Sequence, residues 1–256
     1  MKIRFLLSYQ GTDFYGWQRQ KKVRTVQGEV EKALSHLFQE PLTVVGSGRT
    51  DTGVHALGQT AHFEISPNSW KSLNIVTALN HLTPPDISFH GAWKAPKEFH
   101  ARFSAQKKTY SFFISTTPSP PAVGRDCVYW HPQELNLKTL QDLAQNLVGT
   151  KDFKSFQTSG SSTDQTVKTI YSANWMKIVP FLYRFDITGD GFLRQMVRNL
   201  VGSQLALLKE ETPDKLMKEI LESKNRKTAF APAPGQGLYL KQVFYPPELD
   251  KQCSRL

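Results

Sequence analysis

Residues 46–56 read Gly-Ser-Gly-Arg-Thr-Asp-Thr-Gly-Val-His-Ala and form the most informative stretch of this 256-residue chain. An apolar run at residues 42–45 precedes the stretch and predicts a buried strand. An alternating run at residues 60–65 follows it and predicts a second strand. Three glycines within eight residues indicate tight backbone bends that let another group approach closely. Because Arg49 and Asp51 share this loop, it offers a cation for phosphate and a carboxylate for chemistry.

The same loop also fits an ordinary turn, because Gly, Ser, Thr and Asp are common turn residues. It is not a Walker phosphate loop, since no Gly-Lys-Ser/Thr sequence follows it. The spacing of Gly46, Gly48 and Gly53 also differs from that of a dinucleotide-binding fingerprint. The spacing alone therefore leaves a turn and a functional loop both open.

The complete string resembles the signature of the tRNA pseudouridine synthase A family, in which Gly-Arg-Thr-Asp-Thr-Gly-Val-His-Ala surrounds the catalytic aspartate. Other segments resemble the same family in the same order along the chain: residues 9–18, 25–29, 99–105 with Tyr110, 191–202 and 231–238. These segments run nearly from end to end, so the resemblance covers most of the chain.

This resemblance implies an isomerase that converts uridine to pseudouridine in the anticodon stem-loop of tRNA, at nucleotides 38 to 40. It implies a homodimer, with one tRNA crossing both subunits. The implied fold class is α+β, with two ferredoxin-like (RRM-like) halves, joined and mostly antiparallel sheets, and a basic cleft between them. We place the half that carries the catalytic loop at residues 1–107, and the half that completes the cleft at residues 108–256.

The resemblance also assigns roles to five residues. Asp51 matches the catalytic aspartate, and Arg198 matches the arginine that pairs with it. Tyr110 matches the tyrosine that stacks beneath the target uracil. Arg49 matches an arginine that holds RNA and helps to evict the target base, and Leu238 is expected to line the uracil pocket.

Three further residues near these positions have other interpretations. His55 is interpreted as a residue that orders the loop rather than as a catalyst. Lys107 and Lys108 stand before Tyr110, where the family often has arginines. Lysine keeps the charge of arginine but loses its bidentate fork.

The reaction itself indicates which groups are needed. The N1–C1′ bond breaks, the uracil rotates, and C5 joins C1′ without any net redox change. We therefore expect no cofactor and no metal, and the seven histidines are scattered rather than spaced as metal ligands. An ionised carboxylate can add to the sugar or the base, or can remove a proton from the sugar.

The formal net charge is +10, with +4 from residues 1–104 and +6 from residues 105–256. A cationic surface in both halves fits a polyanion laid across the molecule, although plain solubility explains it equally well. Cations that neutralise phosphates and rings that stack bases are typical of RNA contacts. On this basis we predict RNA-binding roles for Arg19, Lys21 and Lys22, which follow Trp17, and for Lys107 and Lys108.

Two further features concern the cellular setting. The chain lacks an apolar run of about 18 residues, so we expect no membrane partner. Cys127 and Cys253 are too few for a disulfide framework, and a cytoplasmic, reducing setting is the simplest expectation.

Hydrophobic periodicity and cap residues predict the local structure. The predicted helices are residues 26–38 with Thr25 as cap, 69–82, 137–148 with Asn136 as cap, 192–208, and 213–221 with Thr212 as cap. The predicted strands are residues 2–9, 42–45, 60–65, 87–93, 103–114, 168–179, 181–188 and 238–245.

Two other functions remain open on the residues alone. A non-catalytic RNA-binding module would use the basic surface and leave Asp51 inert. A metal-dependent phosphotransferase would use the glycine loop, and an acidic cluster near Asp51 would favour it, but the sequence around Asp51 has none.

Overall fold

A computed structural model describes residues 1–70, 74–158, 160 and 164–256. The chain divides into two compact units, of which the first comprises Met1–Gln106 with Tyr239–Leu256 and the second comprises Lys107–Leu238. Both units combine helices with mostly antiparallel strands, so the predicted α+β class is confirmed. Within the described residues, none of the helices has the length and apolar character needed to cross a bilayer.

Six helices and eleven strands make up the described structure. The helices are α1 (Val26–Phe38), α2 (Ile75–Leu82), α3 (Leu137–Gln145), α4 (Met196–Leu207), α5 (Pro213–Ser223) and α6 (Pro247–Lys251). The strands are β1 (Lys2–Tyr9), β2 (Val45–Gly46), β3 (His55–Glu64), β4 (Ile87–Ala95), β5 (Lys107–Ser115), β6 (Tyr129–Trp130), β7 (Gly149–Asp152), β8 (Val167–Val179), β9 (Leu182–Gly189), β10 (Leu238–Phe244) and β11 (Ser254–Arg255).

In the first unit, β1 lies between β3 and β4 and is antiparallel to both. Alternate residues of β1 are buried, as the period of two in its sequence predicts. The ring of Phe5, on this buried face, lies 6.0 Å from that of Phe63 and 5.3 Å from that of Phe89. Strand β10 pairs in parallel with the start of β3, opposite His55 and Ala56. The C-terminal segment therefore packs beside the strand that follows the glycine loop.

In the second unit, β9 lies between β5 and β8 in antiparallel pairing, and β7 extends the sheet beyond β8. The buried ring of Trp175 stacks on Phe185 at 4.9 Å. Its indole N–H donates to Oε1 of Gln204 on α4 at 2.9 Å. The helix that carries Arg198 is thus tied to the sheet through a buried polar contact.

Several local predictions are confirmed. Strand β1 and the hairpin of β8 and β9 lie where the sequence places them. Thr25 caps α1 by accepting from Gly28 N at 3.3 Å, and Asn136 caps α3 by accepting from Thr139 N at 3.1 Å. Pro213 occupies the first position of α5, although Thr212 makes no side-chain cap hydrogen bond with the described residues.

Other local predictions are wrong at their boundaries. The strand predicted at residues 42–45 is only Val45–Gly46, because Val44 N donates to Oε1 of the buried Glu31 instead of to a neighbouring strand. The strand predicted from residue 103 begins at Lys107, because residues 100–104 form a hydrogen-bonded turn. Strands β6, β7 and β11 and helix α6 were not predicted, because each is short and lacks a clear period.

Two predicted helices begin later than expected. Within the stretch 69–82, Pro67–Ser69 is a short 3₁₀ turn, residues 71–73 lie outside the described residues, and α2 starts after the cap Asn74. The helix predicted from residue 192 starts at Met196, because Gln195 adopts a left-handed conformation with φ of +58°. Arg198 consequently lies in the first turn of α4.

Candidate active site

Asp51 lies in the loop between β2 and β3 of the first unit. It is half-buried, whereas Arg49, two residues earlier, is exposed. The carbonyl of Asp51 accepts from Val54 N at 3.1 Å, and Gly53 within this turn has φ of +73°. This left-handed conformation explains the glycine at position 53.

The last residue of β1, Tyr9, and the loop that follows it, residues 10–17, hold both sides of Asp51. The Tyr9 hydroxyl hydrogen-bonds Oγ1 of Thr50 at 2.9 Å, and Trp17 N donates to the carbonyl of Thr50 at 3.1 Å. Gly53 N donates to the carbonyl of Phe14 at 3.3 Å. Burial raises the pKa of Tyr9 to about 12, so its hydroxyl stays protonated. The backbone on either side of the carboxylate is therefore fixed by groups outside the loop.

Two glycines of that preceding loop permit this close approach. A Cβ on Gly16 would lie 2.5 Å from the carbonyl oxygen of Thr50, and Gly16 also has φ of +82°. A Cβ on Gly11 would overlap the carbonyl oxygen of Val54. Sequence reasoning considered only the glycines inside residues 46–56 and missed these two. Their signal was a glycine on each side of Asp13-Phe14-Tyr15.

His55 begins β3 directly after the loop. Its Nδ1 accepts from Gly11 N at 2.9 Å, and its buried ring stacks on Tyr239 at 4.6 Å. His55 thus connects the loop of Asp51 to the preceding loop and to β10. These contacts support the interpretation of His55 as a residue that orders the loop.

A chain of side-chain hydrogen bonds supports Arg49. Nε of Arg49 donates to Oε1 of Gln18 at 3.0 Å, and Nε2 of Gln18 donates to Oε1 of Gln27 at 2.8 Å. Nε2 of Gln27 in turn donates to Oε1 of the buried Glu31 at 2.9 Å. Arg19 forms an ion pair with the other oxygen of Glu31 at 2.9 Å. Sequence reasoning missed the roles of Gln18, Gln27 and Glu31.

Tyr110 lies on β5 of the second unit and is buried. The ring of Phe192 meets it edge to face, with the centroids 5.0 Å apart. Lys107 is exposed and Lys108 half-buried at the start of the same strand. The phenol ring is therefore held by an aromatic neighbour, with two cations nearby in the sequence.

Arg198 is tied to the segment that precedes β10. Its Nε donates to the carbonyl of Ala233 at 2.7 Å, and Ala233 N donates to the carbonyl of Arg198 at 2.9 Å. Gly202, one turn later on α4, leaves room for the carbonyl of Ala231. These contacts fix residues 231–233 against α4.

Leu238 is buried at the start of β10. The preceding residue, Gly237, packs so closely on Phe112 that a Cβ would lie 2.7 Å from its ring. Phe112 is two residues beyond Tyr110 on β5. In the second unit, the segment 231–238 therefore adjoins both the helix of Arg198 and the strand of Tyr110.

The remaining predicted RNA-binding residues, Lys21 and Lys22, are exposed in the first unit, and the side chain of Arg19 is largely exposed despite its ion pair. Among the described residues, no group of three or more His, Cys, Asp or Glu side chains is arranged to hold a metal ion.

Comparison with known proteins identifies the class of enzyme. The family described as tRNA pseudouridine synthase matches residues 6–104 and 143–246. The chain belongs to this family, whose members are isomerases, and the predicted resemblance is confirmed.

Three relatives agree with this chain over nearly their whole lengths. The chain is 44% identical to tRNA pseudouridine synthase A of Bdellovibrio bacteriovorus, with 100% of this chain and 99% of the relative covered. It is 42% identical to tRNA pseudouridine synthase A of Bacillus subtilis, with 96% and 99% covered. Identity to the protein of that name from Thermotoga petrophila is 37%, with 95% and 99% covered.

Proposed function

We propose that this protein isomerises uridine to pseudouridine in tRNA, at nucleotides 38 to 40 of the anticodon stem-loop. The names and full-length similarity of its relatives support tRNA as the substrate. The observation that carries the proposal is the geometry of the Asp51 loop. Main-chain hydrogen bonds with Trp17 and Phe14 of the preceding loop fix the backbone at Thr50 and Gly53, on both sides of the carboxylate.

Asp51 supplies the carboxylate for the reaction. In the ionised form it adds to C1′ or to the base, or removes a proton from the sugar, and so assists cleavage of the N1–C1′ bond. The uracil then rotates and C5 bonds to C1′, after which C5 loses its proton and N1 gains one. A backbone held from outside the loop lets Asp51 keep its position while the base moves.

The proposed partners of Asp51 either pair with its negative charge or position the target base. Arg198 pairs with the carboxylate, and its bond to Ala233 supports a fixed direction for the guanidinium. Tyr110 stacks on the uracil, supported by the edge-to-face contact with Phe192. Leu238 lines the uracil pocket. Arg49 fills the space that the flipped base leaves, since eviction from a stack costs a few kcal/mol.

The proposed binding surface and assembly follow the sequence predictions. Arg19, Lys21, Lys22, Lys107 and Lys108 neutralise phosphates of the tRNA. Residues 1–107 act as the half with the catalytic loop, and residues 108–256 complete a basic cleft between two ferredoxin-like halves with joined sheets. The enzyme acts in the cytoplasm as a homodimer without a cofactor.

A tritium-release assay tests the function. Purified protein is incubated in EDTA with tRNA carrying [5-³H]uridine, and the modified nucleotides are then mapped. We expect tritium release with pseudouridine confined to nucleotides 38 to 40. Binding of tRNA without tritium release would support the non-catalytic module. Phosphate transfer that requires added metal, without tritium release, would support the phosphotransferase.

Two variants assign the reaction to Asp51. Asp51→Asn keeps the size of the side chain but removes its charge, and we expect release to fall by at least about 10²-fold while tRNA binding persists. Asp142→Asn is the matched control, because Asp142 forms an exposed ion pair with Lys138 on α3. Equal activity of both variants would remove Asp51 from the reaction.

A further inference from the structure

Phe103 is a large apolar side chain that stands out from the first unit. Its side chain is 76% exposed, in the turn at residues 100–104 that precedes β5. A single exposed apolar residue is common and by itself indicates nothing. The surroundings of Phe103 set it apart.

Hydrogen bonds hold the turn that presents Phe103. Nδ1 of His100 accepts from both Arg102 N and Phe103 N at 3.2 Å. Ser104 N donates to the carbonyl of His100 at 2.9 Å, and His100 N donates to Oγ of Ser104 at 3.0 Å. Ala101 N donates to Nδ1 of the buried His62 at 3.2 Å. The backbone is therefore anchored, and the exposed ring stands on a built turn.

Three rings lie in series from the buried His62 of β3 to the surface at Phe103. Phe103 lies 4.4 Å from His100, with an interplanar angle of 30°, and His100 meets His62 edge to face at 4.9 Å. The guanidinium carbon of Arg102 lies over the ring of Phe103, 5.5 Å from its centroid. Burial lowers the pKa of His62 to about 4, and burial also lowers the pKa of His100. Both imidazoles are thus neutral at pH 7, and the charge of the turn is that of Arg102.

We propose that Phe103 is a stacking platform for an unpaired base of the substrate RNA, with Arg102 contacting the adjoining phosphate. The proposal rests on the proposed function, because it takes tRNA as the ligand. A flat exposed ring beside a cation matches an unpaired nucleotide, whose base has two flat faces and whose phosphate is anionic. The guanidinium of Arg102 at the ring favours an anionic ligand as this occupant.

Equilibrium binding of fluorescent tRNA tests the platform. The variants are made in an Asp51→Asn background, so that no turnover disturbs the measurement. We expect Phe103→Ala to weaken binding by about 5- to 150-fold, the range for one stacked base. Phe103→Trp restores binding and Phe103→Leu does not, because leucine keeps the apolar bulk without a π face. Phe181→Ala is the matched control, since Phe181 is 50% exposed at the hairpin of the second unit; it leaves binding unchanged.

The salt dependence separates stacking from charge. Phe103→Ala should leave the slope of log K against log salt unchanged, whereas Arg102→Ala should reduce its magnitude by about 1. A photo-crosslinking p-benzoylphenylalanine at position 103 should attach to one nucleotide of the tRNA. Circular dichroism confirms that each variant is folded.

Each outcome decides between the proposals. If the wild type is active and Phe103→Ala binds tRNA without loss of affinity, the platform is overturned and the proposed function stays intact. If the wild type shows neither turnover nor tRNA binding, the proposed function itself is overturned. If Phe103→Ala converts a dimer to a monomer and position 103 forms no crosslink to RNA, the ring belongs to a protein interface. This result also overturns the platform. Weakened binding with the crosslink supports it.

Discussion

Two turns of the first unit are held in place by different means. The loop around Asp51 is fixed mainly by close approach of main chain to main chain, which requires that Gly11 and Gly16 lack a Cβ, and one imidazole, that of His55, adds a bond from Gly11 N. The turn around Phe103 is fixed by the imidazoles of His62 and His100, which accept three main-chain N–H groups. The first arrangement depends on the lack of Cβ atoms at two glycines. The second depends on imidazole Nδ1 atoms that stay unprotonated and can accept hydrogen bonds. The two turns should therefore respond to different perturbations.

The largest expected effect is on the Asp51 loop. Gly16→Ala would place a Cβ 2.5 Å from the carbonyl oxygen of Thr50, at a residue with φ of +82°. Because the loop must move to relieve this contact, we expect turnover to fall by about 10²-fold, the loss that a displacement of about 1 Å produces. Single-turnover tritium release measures it.

Gly53→Ala is the matched control for that prediction. Gly53 has φ of +73°, but no described atom lies within 4 Å of its added Cβ. This variant therefore carries only backbone strain, about 1–2 kcal/mol, and should lose less activity. Equal losses in the two variants would mean that strain, rather than close approach, governs the loop.

Acid should loosen the turn around Phe103. The pKa of His62 in the folded protein is about 4, below its unfolded value of 6.5. Between about pH 6.5 and pH 4, His62 is protonated in the unfolded chain but stays neutral in the folded chain. The free energy of unfolding therefore falls as the pH drops through this range. The lowered pKa of His100 acts in the same direction.

The expected loss for His62 is of the order of 3 kcal/mol between pH 7 and pH 4, by the linkage of about 1.4 kcal/mol per pKa unit. Denaturant unfolding at a series of pH values measures it. His62→Gln, whose amide oxygen can accept from Ala101 N without titrating, should flatten this dependence. His90→Gln, at an exposed histidine of β4, should not. A wild-type profile that His62→Gln leaves unaltered would contradict the assignment.

The side-chain chain behind Arg49 should give an intermediate effect. Gln27 bonds to Gln18, Arg19, Glu31 and Val44. Gln27→Ala would leave several buried groups unsatisfied, which costs about 1–3 kcal/mol. Gln18→Ala removes the contact with Arg49 and one of the two donors to Oε1 of Gln27, which keeps its bond from Arg19 N. It should therefore lower turnover while changing the unfolding free energy little.

Chemical denaturation and tritium release, measured on both glutamine variants, check this difference. These variants test a second kind of support within the Asp51 loop. Arg49 is held by the side chain of Gln18, whereas Thr50 and Gly53 accept or donate main-chain hydrogen bonds. If Gln18→Ala keeps wild-type turnover, the chain does not position Arg49 for the reaction.

The smallest expected effect concerns a single hydroxyl. Tyr9→Phe removes the hydrogen bond to Thr50 but keeps the buried ring. We expect a loss of about 1 kcal/mol in unfolding free energy, the typical contribution of one hydrogen bond. The main-chain bond from Trp17 still holds Thr50, so turnover should remain near that of the wild type. A large loss of turnover would show that the hydroxyl, and not the main chain, fixes the loop.

Much of the fold was predictable because the signals are local. The alternation in Lys2–Tyr9 and the caps Thr25 and Asn136 act over a few residues, and the structure confirms them. The late start of α4 was not predictable from apolar spacing, because Gln195 adopts a left-handed conformation that glycine or asparagine usually signals. Val44 has the composition of a strand, but its N–H bonds to a glutamate 13 residues earlier in the chain.

The sequence by itself determined the family, the loop that carries Asp51 and the identity of the candidate groups, because a motif is a contiguous string that needs no partner to be read. Only the tertiary structure decided what holds those groups. The loop is supported by Gly11, Gly16 and Gln18 across 31 to 44 positions of sequence, and Gln27 supports Gln18 in turn. No local periodicity indicates these contacts. The exposed ring of Phe103 likewise needed coordinates, because the same phenylalanine in the same string would fit a strand until the imidazoles of His62 and His100 close the turn beneath it.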